Sequence, residues 1–285
     1  MKLGLLPTGI LARQVDALDN VRWSADNGYQ VIDLPPDRTD AIDLVHKLGL
    51  EIGAVGGKVP QLVTKDERAR AERVQTALAG VAWAADHGVK RLMMSHARDM
   101  EATPEENVEI ARDAWGQVAE EADRRGVLLC IEHWPNAGRN LAITPELWRA
   151  IFNGIPATSI GLCFDPSHLI WMGIDWMRAL REFGPRIHYA HAKDTEIIPE
   201  GQYHYGIYGR QVNKKTPGEN GWWRYTLPGF GRVHWGEYVG ALLDVGYDFA
   251  LTVEHEDNLW GWRDDVERTR TGLLVARDFL RPYLR

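Results

Sequence analysis

Short apolar runs alternate with longer amphipathic stretches along the whole chain. Read for periodicity, the runs KLGLLP (2–7), YQVIDLP (29–35), EIGAVG (51–56), KRLMMSH (90–96), VLLCIEH (127–133), SIGLCFDP (159–166), RIHYAHAK (186–193) and FALTVEH (249–255) predict buried strands. Between them, helical spacing predicts helices near 12–27, 39–49, 64–87, 104–126, 144–153, 174–183, 235–246 and 263–281. Thr103-Pro104-Glu105-Glu106 and Thr144-Pro145-Glu146 each offer an N-cap followed by proline at the first helical position. Asn27-Gly28, Gly126, Gly184-Pro185 and Gly246 supply the backbone freedom that ends a helix. Eight strand–helix pairs without a composition break predict an α/β chain folded as one (β/α)8 barrel over residues 1–285. A doubly wound sheet is the competing architecture, but it needs no eighth repeat and would not bring the last four strands to a common point.

One segment breaks the rhythm. Residues 194–234 separate the seventh strand from its helix and hold Tyr203, Tyr205, Tyr208, Arg210, Trp222, Trp223 and Arg224 among many glycines. Loops this long are uncommon unless functional or disordered, and disordered segments are poor in aromatics. The expectation is a folded lid over the C-terminal mouth. Of the twelve tryptophans, Trp134, Trp171, Trp222, Trp223, Trp260 and Trp262 all fall in or beside loops of that face. They suit either packing of the lid or stacking on a sugar face or an aromatic substituent.

Bulk properties narrow the function classes. With 45% hydrophobic residues the chain can bury a large core, and a net charge of -7 speaks against nucleic acid or an anionic membrane as partner. No apolar stretch approaches 18 residues and no basic leader precedes an apolar segment, so no membrane span is expected and a cytoplasmic location is. Cys130 and Cys163 make no disulfide framework, which agrees with a reducing compartment.

The chemistry concentrates at four strand ends. LLCIEHW, IGLCFDPSH, IHYAHAKD and ALTVEHED deliver Glu132, Asp165, His191 and Glu254 as their apolar runs stop. The first three are spaced by one strand–helix unit each, the last by a unit plus the long loop. Side chains alternate along a strand, so Cys130, Cys163, Tyr189 and Thr252 share a face with the four and should fill the layer beneath them. Three carboxylates at one point would repel one another unless a cation sat among them. Carboxylates with one imidazole are hard or borderline ligands, suited to Mn²⁺ first, and to Mg²⁺, Co²⁺ or Fe²⁺. Four protein ligands leave two octahedral positions for adjacent oxygens of a sugar. His96 ends the fourth strand at the same mouth as a candidate substrate contact, and His255 and Glu256 can orient a ligand from behind.

These segments resemble the sugar phosphate isomerase/epimerase superfamily, the xylose isomerase-like barrels that include ketose 3-epimerases, hydroxypyruvate isomerase and inosose dehydratase. The resemblance covers nearly the whole chain and is densest from 127 to 257. It implies that Glu132, Asp165, His191 and Glu254 bind one divalent metal and that Glu132 and Glu254 also act as acid and base. FDPSH matches the family's D-x-x-H, which makes His168 a substrate contact. HAKD matches its strand-seven signature and places Lys193 beside the metal as a candidate substrate contact. LPGFGRVHW at 227–235 matches the PG-x-G-x-x-x-W segment, and Arg224 lies slightly upstream of it, where epimerases contact substrate. The second glutamate that follows the strand-five ligand in ketose epimerases is absent. IEHWPNAGRN offers His133, Trp134, Asn136 and Arg139 instead, which argues against a simple ketohexose epimerase.

The implied reaction is proton abstraction next to a carbonyl through a metal-stabilised enediolate on a ketose or keto-sugar. Return of the proton gives epimerisation or isomerisation. A leaving group β to the carbanion gives elimination, as in relatives that cleave 3-keto glycosides, some with a small partner subunit. Inosose dehydration, a metal-dependent endonuclease and a non-catalytic sugar-binding subunit are further alternatives. The endonucleases carry more histidine ligands and a basic face. The expected partners are a small-molecule sugar or glycoside, with a homodimer or a small subunit as the candidate assembly.

Overall fold

In the computed structural model, residues 1–208 and 221–284 are described, so Arg210 and the middle of the 194–234 segment lie outside the described residues. The apolar runs form β1 (Lys2–Leu6), β2 (Val31–Leu34), β3 (Glu51–Val59), β4 (Arg91–Met94), β5 (Leu128–Glu132), β6 (Ile160–Phe164) and β7 (Ile187–Ala192). Two short strands follow, β8 (Asp194–Ile197) and β9 (Trp223–Thr226), and then β10 (Ala250–Glu254). The first seven strands and β10 close into a parallel barrel in chain order, with β10 pairing both β7 and β1. Helices lie between successive strands, as in a (β/α)8 barrel. Among the described residues, no helix is long and apolar enough to cross a membrane.

Differences from the periodicity have local causes. The helix expected over 12–27 is two helices, Gly9–Gln14 and Ala17–Asp26. Asp16 breaks it because its side chain caps the second helix, accepting from the Leu18 amide at 2.8 Å. A short extra helix, Pro166–Trp171, starts directly after β6. Within the described part of the 194–234 segment, β8 and β9 form an antiparallel pair, and Pro199–Tyr205 is helical.

Two apolar layers hold the barrel. The larger lies between strands and helices and includes the fully buried Trp115, Trp148 and Tyr238. The smaller fills the barrel interior with Val31, Ala54, Cys130, Cys163, Tyr189 and Ala250. Fully burying such an aliphatic or aromatic side chain stabilises by about 1.5–3 kcal/mol. Cys130, Cys163 and Tyr189 thus form the packed floor that strand alternation placed beneath the four strand ends. Tyr189 spans this floor: its hydroxyl donates to Asp33 Oδ1 and accepts from Thr252 Oγ1 at 2.6 Å. Gly53 makes this possible, since a Cβ there would lie 2.1 Å from both Asp33 Oδ1 and the Tyr189 oxygen.

Candidate metal centre

Glu132 is the last residue of β5, His191 the penultimate residue of β7 and Glu254 the last of β10. Asp165 follows β6 immediately. Its Oδ1 caps the short helix by accepting from the Ser167 amide at 2.8 Å, which leaves Oδ2 for another task. One ligand atom from each of the four residues lies within 4.8 Å of the others. Asp165 and His191 are fully buried and Glu254 is nearly so.

The residues present fit a divalent cation. Among the described residues, Asp165 Oδ2 and both ring nitrogens of His191 are buried without a well-formed hydrogen bond, although Lys193 Nζ lies 3.2 Å from Asp165 Oδ2 and Glu254 Oε2 lies 3.0 Å from His191 Nδ1. Buried polar atoms without a partner are costly, and one cation could take Asp165 Oδ2 together with one of the two His191 nitrogens. Charge points the same way. Lys193 Nζ lies 2.7 Å from Glu254 Oε2, 3.0 Å from Glu256 Oε2, 3.2 Å from Asp165 Oδ2 and 3.7 Å from Glu132 Oε1. One ammonium thus faces four carboxylates. It cannot neutralise them alone.

The two glutamates are driven apart. Burial pushes the Glu132 carboxyl up, but the Lys193 ammonium and the His168 hydrogen bond outweigh burial and hold it well below the usual carboxylate range. Burial and the neighbouring Glu132 charge instead raise Glu254. Divergent proton affinities in one pair of carboxylates are the arrangement that acid–base chemistry uses.

His168 is fixed by a relay. Trp171 Nε1 donates to the Tyr225 hydroxyl oxygen at 3.2 Å, and that hydroxyl lies 2.7 Å from His168 Nδ1. The Tyr225 proton is therefore free to donate to Nδ1, which leaves the His168 proton on Nε2, 3.0 Å from Glu132 Oε1. Trp223 stacks on Trp171 with ring centroids 4.5 Å apart and meets Tyr225 edge-on. These rings, with Tyr225 4.6 Å from Lys193 Nζ, wall one side of the centre. Across the mouth, a cavity of about 460 Å³ runs from β1 to β5 and reaches Glu132.

A family model described as a xylose isomerase-like TIM barrel matches residues 21–277. The chain belongs to that family. Among solved structures, this xylose isomerase-like barrel is similar to the IolI protein with a bound zinc atom, at a TM-score of 0.72 and 17% identity over 100% of this chain and 98% of that one. It is equally similar to D-psicose 3-epimerase with D-tagatose from Clostridium cellulolyticum H10, at 0.72 and 18% over 100% of both chains. Identities this low speak for the fold alone. The uncharacterized protein YfiH of Bacillus subtilis (strain 168) is 31% identical over 153 residues, covering 52% of this chain and 47% of YfiH. The chain spans about half the length of the curated relatives it matches.

The remaining sequence candidates surround the ring in the xylose isomerase-like barrel. His168 and Lys193 join it directly. His133 is fully buried against Trp148 and Phe164, and its Nε2 accepts from the Asp165 amide at 3.1 Å, so it supports the Asp165 backbone. His96 is buried nearby, Trp134 is 46% exposed, and Arg224 pairs with Glu196 at 2.6 Å and with Asp257 at 3.0 Å. Periodicity missed Tyr225, because the four-residue β9 lies in a glycine-rich stretch. It also missed Asp194, whose buried carboxylate accepts from the Gly229 and Val233 amides and Trp235 Nε1 and so anchors the 227–235 segment. The HAKD motif marked its position but not its role.

Three buried imidazoles set a pH dependence. Burial holds His96 down to about 4, His133 to about 3 and His255 to about 4, against an ordinary 6.5. Folded values below the free value mean that the unfolded chain protonates first. Stability is therefore fully present above pH 6.5 and is lost as pH falls towards 4. At pH 5 each costs about 2 kcal/mol, and Asp33, raised by burial to about 6, returns about 1 kcal/mol. Glu254, Asp194, Asp257 and His191, all raised, return part of the loss, so urea unfolding should show lower stability at pH 5 than at pH 7 by on the order of a few kcal/mol. Equal midpoints would show that these imidazoles are not buried neutral.

Proposed function

We propose that this chain is a metal-dependent enzyme that moves a proton next to a carbonyl on a ketose or keto-sugar. The observation that carries the reading is the four-residue ring of ligand atoms at the barrel mouth, with Asp165 and His191 atoms buried there without a well-formed hydrogen bond. The zinc in the IolI structure and the D-tagatose in the D-psicose 3-epimerase structure support it. Mn²⁺ is the proposed metal. A divalent cation held by Glu132, Asp165, His191 and Glu254 would stabilise negative charge developing on a substrate carbonyl and its neighbouring oxygen.

The chain's own residues do the rest. Glu132 and Glu254 stand on β5 and β10, with β6 and β7 between them, so one can remove a proton from one face and the other return it to the opposite face. His168 Nε2–H and the Lys193 ammonium are donors for substrate oxygens. The partly exposed Trp171 and Tyr225, backed by the buried Trp223, offer apolar contact for a sugar ring. The proposed assembly is a homodimer or a complex with a small subunit, in the cytoplasm.

The second reading is β-elimination on a 3-keto glycoside. The largely apolar cavity beside Glu132 favours it, because a free sugar offers little to such a wall. Proton exchange separates the cases. Incubated in D₂O with Mn²⁺ and a panel of ketoses, inososes and 3-keto glycosides, the enzyme should place deuterium next to a carbonyl in at least one substrate. Product analysis then assigns epimerisation, isomerisation or elimination. No incorporation in any of them would sink the proposal.

A further inference from the structure

We infer that Asp33 anchors a second part of the binding site, one that takes an apolar group bearing a hydroxyl donor. The inference rests on the reading of the metal centre as a keto-sugar site, and it names the kind of substituent that sugar carries.

The cavity of about 460 Å³ has Glu132 on one wall and extends away from it across the ends of β1 to β4. Leu6, Ile32, Leu34, Pro35, Ala54 and Met93 are among the apolar residues that supply most of its lining. Its other polar residues are already engaged. Arg38 is paired with Asp16 and Asp40, and the Asn20 amide donates to the Leu11 carbonyl at 3.2 Å. Asp33 differs. It is 4% exposed, and its Oδ1 accepts from the Ala54 amide at 3.1 Å and from the Tyr189 hydroxyl. Its Oδ2 is buried and, among the described residues, has no hydrogen-bond partner.

A buried carboxylate oxygen without a partner calls for a donor from outside the chain. An ionised carboxylate only accepts, so the group it takes must bring an O–H or N–H. The surrounding lining limits the rest of that group. A polyol lodged there would leave several hydroxyls facing aliphatic walls, whereas an apolar ring with one hydroxyl would leave none. The volume lies within the range of small-molecule sites and is contiguous with the metal ring at Glu132. The sugar would then sit over the ring and its substituent towards β1–β3. Burial, which holds the Asp33 carboxyl up to about 6, agrees with a site from which water is largely excluded.

Phenol and anisole test this on metal-stripped protein, where no turnover occurs. The two probes share a ring and differ in the donor. By titration calorimetry, phenol should bind about tenfold or more tighter than anisole, the margin expected for a hydrogen bond to a buried charged acceptor. Asp33→Asn presents an N–H where Oδ2 stood and should erase the preference while anisole binding persists. Equal affinity of the wild-type protein for the two probes would overturn the inference without any variant having to fold. So would failure of either probe to bind, or a preference retained in Asp33→Asn. If the phenol preference holds but no keto-sugar exchanges its proton in D₂O, the subsite stands and the proposed reaction falls.

Discussion

Glu132→Gln is expected to cut turnover by about 10³-fold at saturating metal, and Glu254→Gln by a comparable factor, the range that a positioned general acid or base contributes. The amide keeps the size and one oxygen of each carboxylate but cannot take a proton. In Glu132→Gln the amide oxygen still accepts from His168 Nε2, and in Glu254→Gln the lost charge relieves the repulsion that raises proton affinity there. Both variants should therefore keep the wild-type melting temperature within a few degrees. The pair also makes a directional prediction. If the two carboxylates serve opposite faces, each single variant should still exchange the proton on its remaining face while losing interconversion of the two epimers. Deuterium exchange followed from each epimer separately reads this out. Activity within tenfold of wild type in both variants would remove them from the acid–base roles.

Much of this architecture is legible in the chain because the signals are local. A buried strand writes itself as an apolar run, and a barrel strand that ends on a polar residue places that residue at the mouth. Glu132, Asp165, His191 and Glu254 come together in the structure for that reason. What stayed hidden depends on pairing between distant segments. Arg224 lies slightly upstream of a Pro-Gly motif in sequence, but Glu196 stands directly opposite it on β8, and Asp257 reaches it from beyond β10. Asp33 looks like any strand-end acid until Tyr189 arrives from the far side of the barrel. Trp222 and Trp223, candidates for substrate stacking, are largely buried. Tyr225 was illegible for a further reason: four residues in a glycine-rich stretch carry too little periodicity to declare a strand.

Lys193→Met should destabilise the metal-free protein by about 3–5 kcal/mol, the cost of removing one partner from a buried charge cluster. The methionine keeps most of the side-chain volume, so packing changes little. The loss is electrostatic: Glu254, Glu256, Asp165 and Glu132 would face one another without the ammonium they now share. The deficit should close when charge is restored by another route. Added Mn²⁺ is expected to raise the melting temperature of Lys193→Met by more than that of the wild-type protein. A cation on the four ligands compensates carboxylates that the ammonium otherwise serves, and anything that binds only the folded state stabilises by mass action. Acid should also narrow the gap, because protonated carboxyls need no partner. Thermal unfolding of both proteins, stripped and metal-loaded, at pH 7.5 and pH 5.5, measures all of these differences. If the metal-free variant melts with the wild-type protein, the Lys193 ammonium does not hold the cluster together. If Mn²⁺ shifts neither, the four strand ends are not a metal site.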